Sequence, residues 1–441
     1  MYEICITNTP YIPQKGVPLH VHKRIDYMNT HNRNINDPVY GFIRIDGRLI
    51  NRIISHPYMQ RLRHISQIGL SSLVYPGAVH NRFTHSVGAM HLMGRALTTL
   101  REKGFEITDD EYSAAKIAIL LHDVGHAPFS HTLEGEFLDG VSHEDISVRV
   151  MKLLCDEIGG DVMKMAVDIF ENKYHKRFLH SLISSQLDMD RLDYLNRDSF
   201  YTGASEGIVS HERIIAMMTV SPDGEIVFEE KGLYSVEKFV VARRMMYWQV
   251  YLHKTALGAD FIANGIIRRA IELIKEGKEL PAPPSLKFLL SRKAQACDIN
   301  DEYLEHYMSI DESDMWSVFK QWIHTDDFIL SYLCRALCHR RLFFAKLLPE
   351  ALPVEEVDKI KTSIIEKYGI GEDLVKYLLS YREIKNHVYR PREDNIKIIS
   401  KSGEVRVITE VSEQINFTKD KTETKVFICF PKDFKDVIPI K

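Results

Sequence analysis

From about residue 48 to about 275 the chain repeats apolar residues at helical spacing, as in RLINRIISHPYMQRLRHI, SVGAMHLMGRALTTLREKG, DEYSAAKIAILLHDVGH and SVRVMKLLCDEIG. One period sustained over that length makes the fold class mainly α. The segment SPDGEIVFEEKG breaks it, setting an Asp-Gly turn beside a β-prone stretch, and reads as a small peripheral hairpin. KELPAPPS, residues 278–285, disfavours helix and marks a boundary or long connecting loop with more helix after it. Beyond about residue 393, NIKIISKSGEVRVITEV and KVFICF carry β-branched residues around a Ser-Gly turn. The expected organisation is an N-terminal segment 1–34, a helical core 35–277, a helical extension 278–392 and a small C-terminal α+β unit 393–441. A chain of 441 residues is long enough to bury a deep polar site.

Several function classes fall away on composition. No stretch approaches the roughly 18 unbroken apolar residues of a membrane span. The start, MYEICITNTPYIPQKG, has no basic flank followed by an apolar run, so a cytoplasmic protein is expected. Cys5, Cys155, Cys297, Cys334, Cys338 and Cys429 lack framework spacing, which points to reduced thiols. Cys334, Cys338 and His339 have no second ligand pair to complete a zinc site, and packing explains them better. The formal charge of −4 gives no global attraction for nucleic acid, so any phosphate recognition is local.

The chemistry concentrates in AAKIAILLHDVGHAPFSHTLE, where an apolar helix runs straight into His122-Asp123, with His126 one turn on. Adjacent helical residues differ by about 100°, so this imidazole and carboxylate can reach one cation at the helix end. A lone His-Asp pair is more often a structural histidine beside a local partner. Here two more segments add donors: YPGAVHNRFTHSVGAMH holds His80, Arg82 and His85, and SQLDMDRLDYLNRDSFYTG holds Asp188, Asp190, Asp193 and Asp198. Two imidazoles with two carboxylates suit Fe, Mn, Zn, Ni or Co better than Ca or Mg.

His85, His122-Asp123 and Asp190 follow in order the H…HD…D signature, and the chain resembles the HD-domain metal-dependent phosphohydrolases. INDPVYGFIRI, QRLRHISQIGL, YPGAVHNRFTHSVGAMH, LLHDVGHAPFSHTLE and LDMDRLDYLNRD look like the deoxynucleoside triphosphate triphosphohydrolases (dNTPases) within that family, from about Ile35 to about Ala270. The resemblance implies a metal held by His85, His122, Asp123 and Asp190, with Mg arriving on the substrate as a further option. It implies attack of water at the α-phosphorus, releasing a deoxynucleoside and triphosphate. The leaving 5′-oxygen then needs a proton, with His131 the first choice of donor and His126 the second. Glu134, standing where relatives often show Asp, and His143 are placed to orient that donor.

Arg82, Arg191 and Arg243 are the expected phosphate contacts, since guanidinium offers paired donors and keeps its charge; relatives often have Lys where Arg191 stands. Tyr194 and Asp198, one and two turns beyond Asp190, should line the pocket opposite Leu192 and Leu195. Arg243, Tyr247 and Tyr251 recur at i, i+4 and i+8; by resemblance Tyr251 packs on the sugar and Gln67 meets its 3′-hydroxyl region. Taken singly, Arg243 and Tyr251 are more often a solvated arginine and a half-buried aromatic, and Arg61, Arg63 and His64 need be no more than a polar helix face. The resemblance also implies a homo-oligomer, dimer or tetramer, and an activating nucleotide near Arg33, Gln60 and Arg63. Ser55 stands where relatives carry a guanine-reading Asp, which argues against guanine-specific activation. Two other readings stay open: another HD-type nucleotide phosphohydrolase or phosphodiesterase, and a non-catalytic nucleotide-binding oligomer.

Overall fold

Four polar side chains start the helices that build the core, in a computed structural model describing residues 33–292, 294–295, 299–386, 395–416 and 423–437. Asn81 caps Arg82–Glu102, Thr108 caps Asp109–Leu121, Ser142 caps His143–Ile158 and Asp188 caps Met189–Thr202. Each accepts a hydrogen bond from an otherwise orphaned backbone N–H, worth about 1 kcal/mol. Residues 1–32, which hold nearly all of the expected N-terminal segment and Cys5, lie outside the described residues, as does Cys297.

Arg82–Glu102 packs between Asp109–Leu121 on one side and Met189–Thr202 on the other, with Asp161–Phe170 behind Asp109–Leu121. Every residue from Ala114 to Leu121 is buried, Lys116 included, so this part of the helix runs through the interior rather than along the surface. Its C-terminal end therefore delivers His122 and Asp123 into the middle of the protein. Fully burying one of its Leu or Ile side chains contributes roughly 1.5–3 kcal/mol.

The β structure is small and scattered, as the mainly α fold class requires. Arg33–Asp37 pairs with Gly41–Ile45 in an antiparallel hairpin whose turn needs Gly41 at φ +73°. Met218–Val220 and Ile226–Glu229 form the hairpin expected around Asp223-Gly224. That hairpin is extended by Lys397–Ile399, parallel to Ile226–Glu229, and then by Val405–Val407. Glu423–Phe430 lies between Phe344–Leu348 and Ser380–Asn386, antiparallel to both. The proline-rich stretch is a connection without regular structure, ending as Pro284 begins Pro284–Ser291. Glu312–Trp322 follows in the helical extension and packs its face onto Phe328–Cys338. Among the described residues no helix is long and apolar enough to cross a membrane.

Candidate active site

His85, from the first turn of Arg82–Glu102, His122 and Asp123, at the end of the buried helix, and Asp190, from the first turn of Met189–Thr202, converge. Asp190 Oδ1 lies 3.0 Å from His85 Nε2 and 3.4 Å from His122 Nε2, and the two Nε2 atoms are 3.3 Å apart. The Asp123 carboxylate closes the group, 3.3 Å from His122 Nε2 and 3.5 Å from His85 Nε2.

Partners on the far side of each ring assign its tautomer. His122 Nδ1 faces the Ile119 carbonyl at 2.5 Å, and His85 Nδ1 faces Asp193 Oδ2 at 2.7 Å. Both neighbours only accept, so both Nδ1 atoms carry hydrogen, and whenever the rings are neutral each turns an Nε2 lone pair towards the other and towards two carboxylates. Such an arrangement is repulsive without positive charge at its centre, which is what a divalent ion supplies, and the donor set fits one. Burial would lower the pKa of His85, yet hydrogen bonds with Asp190 and Asp193 and the charges of Asp193 and Asp123 outweigh it and carry it to about 10. His122 is raised and Asp190 lowered, in each case because the opposite charge overcomes burial. Protons and metal compete for this place.

A buried relay stands behind His85. Arg197 donates to Asp193 through Nε at 2.8 Å and through a terminal nitrogen at 2.9 Å, while its other terminal nitrogen reaches Asp37 Oδ2 at 2.7 Å. Asp37 belongs to the N-terminal hairpin, so the chain Asp37, Arg197, Asp193, His85 ties that hairpin to the imidazole. Asp193 has its pKa held near 2: burial would raise it, but the Arg197 charge and the bonds from His85 and Arg197 prevail.

A second cluster lies alongside. His126 Nε2 is 3.3 Å from Asp123 Oδ1 and its ring stacks on His143 at 3.8 Å. Glu134 bridges two imidazoles, accepting from His131 Nδ1 at 3.0 Å and from His143 Nδ1 at 2.9 Å, and it also accepts from the His143 backbone N–H at 2.6 Å. The longer arm of Glu, in place of Asp, thus spans both partners. Burial would raise the Glu134 carboxyl, but the two imidazoles hold it far below the usual range, while burial and the Arg82 charge push His126 well down. The donors of His126, His131, Glu134 and His143 come within 4.8 Å of one another, near enough for a metal. The stacking of His126 on His143, with only 16° between ring planes, argues against one, since a cation cannot lie in both planes. Hydrogen-bonded acid–base chemistry fits this group better.

Arg82 is buried: it pairs with Asp123, donates to Ser130 Oγ at 2.8 Å and reaches the Gln67 carbonyl at 3.2 Å. Arg191 donates to the Ser185 carbonyl at 2.6 Å and lies 3.3 Å from Asp188. Arg243 donates to Gln186 at 3.0 Å, and its guanidinium lies 5.8 Å from the Tyr247 ring. Asp198 receives the Tyr251 hydroxyl at 2.6 Å on one oxygen and has His80 Nε2 2.7 Å from the other; Tyr194 lies edge-on to Tyr251. The i, i+4, i+8 pattern of Arg243, Tyr247 and Tyr251 is interrupted, because the α-helix ends at Met246 and Tyr247–Tyr251 is a π-helical turn. Among the described residues Gln67 Oε1, His126 Nδ1 and Arg243 Nε are buried polar atoms without a hydrogen-bond partner.

One sequence expectation changes. Arg61 is no part of a solvated face: it is buried and donates to the carbonyls of Ile310 and His126 at 2.8 and 2.9 Å. Near the expected activator position, Arg33 donates to Ser55 Oγ at 3.1 Å, Gln60 to the Ile54 carbonyl at 2.6 Å and Arg63 to Gln60 at 2.8 Å. The relay residues Arg197 and Asp37 were not singled out from sequence; Arg197 at i+4 from Asp193 was the available signal for half of it.

Family profiles described as HD domain and HD associated region match residues 82–198 and 209–287. The chain is 33% identical to the uncharacterized protein YwfO of Bacillus subtilis, over 90% of this chain and 92% of that one. A crystal structure of a phosphohydrolase from Bacteroides thetaiotaomicron superposes with a TM-score of 0.87 at 43% identity, covering 91% of this chain and all of that one. A Dictyostelium discoideum homolog of the deoxynucleoside triphosphate triphosphohydrolase SAMHD1 is 30% identical over 56% of this chain, which spans about half its length, 51%. Together with the His/Asp cluster, these matches mean that the chain belongs to the HD-domain phosphohydrolase family.

Proposed function

We propose that the protein is a metal-dependent dNTP triphosphohydrolase, in which His85, His122, Asp123 and Asp190 hold the metal. The observation that carries this reading is the convergence of two imidazole Nε2 atoms and two carboxylates on one point. A divalent ion held there would supply polarisation of a phosphoryl oxygen and a water nucleophile near neutral pH. Arg82 holds Asp123 in place and presents charge beside the metal ligands, and Arg191 and Arg243 meet the polyphosphate. His131, oriented through Nδ1 by Glu134 and with most of its side chain exposed, gives its Nε2 proton to the leaving 5′-oxygen. His126, packed between Asp123 and His143, is the poorer donor and helps shape the phosphate pocket. Tyr251, fixed by Asp198, packs on the sugar, and Gln67 reads its 3′ edge. Likeness to the SAMHD1 homolog supports the substrate class.

Incubation with dGTP and Mn²⁺ tests it. The expected products are deoxyguanosine and intact inorganic triphosphate; orthophosphate or pyrophosphate would place the cut at a P–O bond other than the one to the 5′-oxygen and sink the reading. His131→Ala should lower kcat by roughly 10²–10⁴-fold while metal stays bound.

A further inference from the structure

We propose that Glu312, in the helical extension and outside both segments matched by the family profiles, is a positioning residue for the reaction centre. Its carboxylate fastens together the two loops that carry Gln67 and the His126–His131 segment. One oxygen, Oε1, accepts the backbone N–H of Ser66 at 2.6 Å and that of Phe129 at 3.1 Å; the other accepts the Ser66 hydroxyl at 2.7 Å. The Ser66 carbonyl in turn accepts the Ser130 hydroxyl at 2.6 Å, and Ser130 Oγ accepts Arg82 Nε at 2.8 Å. Arg82 pairs with Asp123, so a continuous polar path runs from Glu312 to a candidate metal ligand.

The loop has reason to need fastening. Phe129 and Ser130 are consecutive non-glycine residues at φ +58° and +55°, in the left-handed region that L side chains disfavour. Strain of this kind persists only where the surroundings over-determine the backbone. Glu312–Trp322 supplies two of the constraints: the Glu312 carboxylate holds the Phe129 N–H, and the Phe129 ring lies edge-on to Trp316 at 5.4 Å and stacks with Phe319 at 6.2 Å. Thr132, on the loop's far side, donates to Asp260 at 2.7 Å, and Arg61 and Tyr307 donate to the carbonyls of His126 and Gly125. His131 sits between these ties. Loss of the Glu312 carboxylate strands three donors at once, and no neutral side chain of that size offers the same two acceptor oxygens. Glutamine keeps one acceptor for the two N–H groups and turns its amide towards the Ser66 hydroxyl, which can accept as well as donate.

The kinetic part of the test rests on the phosphohydrolase reading; the exchange part does not. In the full chain, loaded with Mn²⁺, Glu312→Ala should keep its metal content and its KM for dGTP within a few-fold. Its kcat should fall by about 10- to 100-fold, the scale of an ångström-sized misplacement of catalytic groups. Glu312→Gln should recover most of that loss. Amide hydrogen exchange should quicken in Glu312→Ala at residues 64–70 and 126–133 and stay unchanged along Arg82–Glu102. Unchanged kcat, parallel loss of metal and activity, or exchange raised evenly through the chain or confined to 312–322 would each overturn the proposal. A wild-type protein that cleaves no nucleotide would count against the dNTPase reading alone, with the exchange pattern still deciding the role of Glu312.

Discussion

Asp190→Ala protein is expected to lose its metal and to hydrolyse nucleotide at a thousandth of the wild-type rate or less, with its fold intact. The Asp190 carboxylate faces both imidazoles, 3.0 Å from His85 Nε2 and 3.4 Å from His122 Nε2. Its removal leaves two Nε2 atoms 3.3 Å apart with less negative charge to draw a cation between them. Metal activation of this kind is worth several kcal/mol of transition-state charge stabilisation, and about 1.4 kcal/mol is a factor of ten, so a thousandfold is the natural scale. The side chain is a quarter exposed and its ion pairs are with the ligand imidazoles, so the fold has little reason to suffer. Metal analysis of the purified variant beside its rate checks this. Full metal occupancy with activity within tenfold of wild type would remove Asp190 from the ligand set.

Arg197→Met should cost about 3–5 kcal/mol of stability, the usual consequence of stripping one partner from a buried ion pair. Two carboxylates depend on this guanidinium, Asp193 at 2.8 and 2.9 Å and Asp37 at 2.7 Å, and both are buried. Without Arg197, Asp193 loses the charge that holds its carboxyl pKa near 2. The carboxyl is then free to take up a proton and no longer anchors His85 Nδ1 as a full anion. A second consequence follows at the metal, since loss of such an orienting partner weakens affinity by roughly 10–100-fold. The space is already committed: a Cβ at Gly88 would run into Asp193 and Arg197, which explains a glycine within the long helix. Urea denaturation of the metal-free protein measures the first effect and Mn²⁺ titration the second. A stability loss below about 1 kcal/mol would mean that water or rearrangement rescues the carboxylates.

The parts of this account legible in the sequence are those carried by local pattern. The mainly α class followed from one sustained period, and the placement of His122 and Asp123 at a helix end from the apolar run directly before them. Four aspartates share one helix pattern, and spacing alone does not separate them. Tertiary neighbours do: Asp188 caps the helix, Asp190 faces the imidazoles, Asp193 backs His85, and Asp198 meets His80 and Tyr251. Arg61 looked solvated because Ile310, its carbonyl partner, lies far along the chain. The Glu312 bonds to Ser66 span 246 residues, beyond any periodicity. The π-helical turn at Tyr247–Tyr251 was hidden too, because its register shift leaves no mark in a string of apolar and aromatic residues.

The most direct test of the central claim is anomalous diffraction at the Mn edge from crystals of the Mn²⁺-loaded protein. One peak is expected, bonded at roughly 2.0–2.3 Å to His85 Nε2, His122 Nε2, Asp123 and Asp190. A peak held instead by His126, His131, Glu134 and His143, or one with Asp190 more than about 5 Å away, far outside bonding distance, would contradict it.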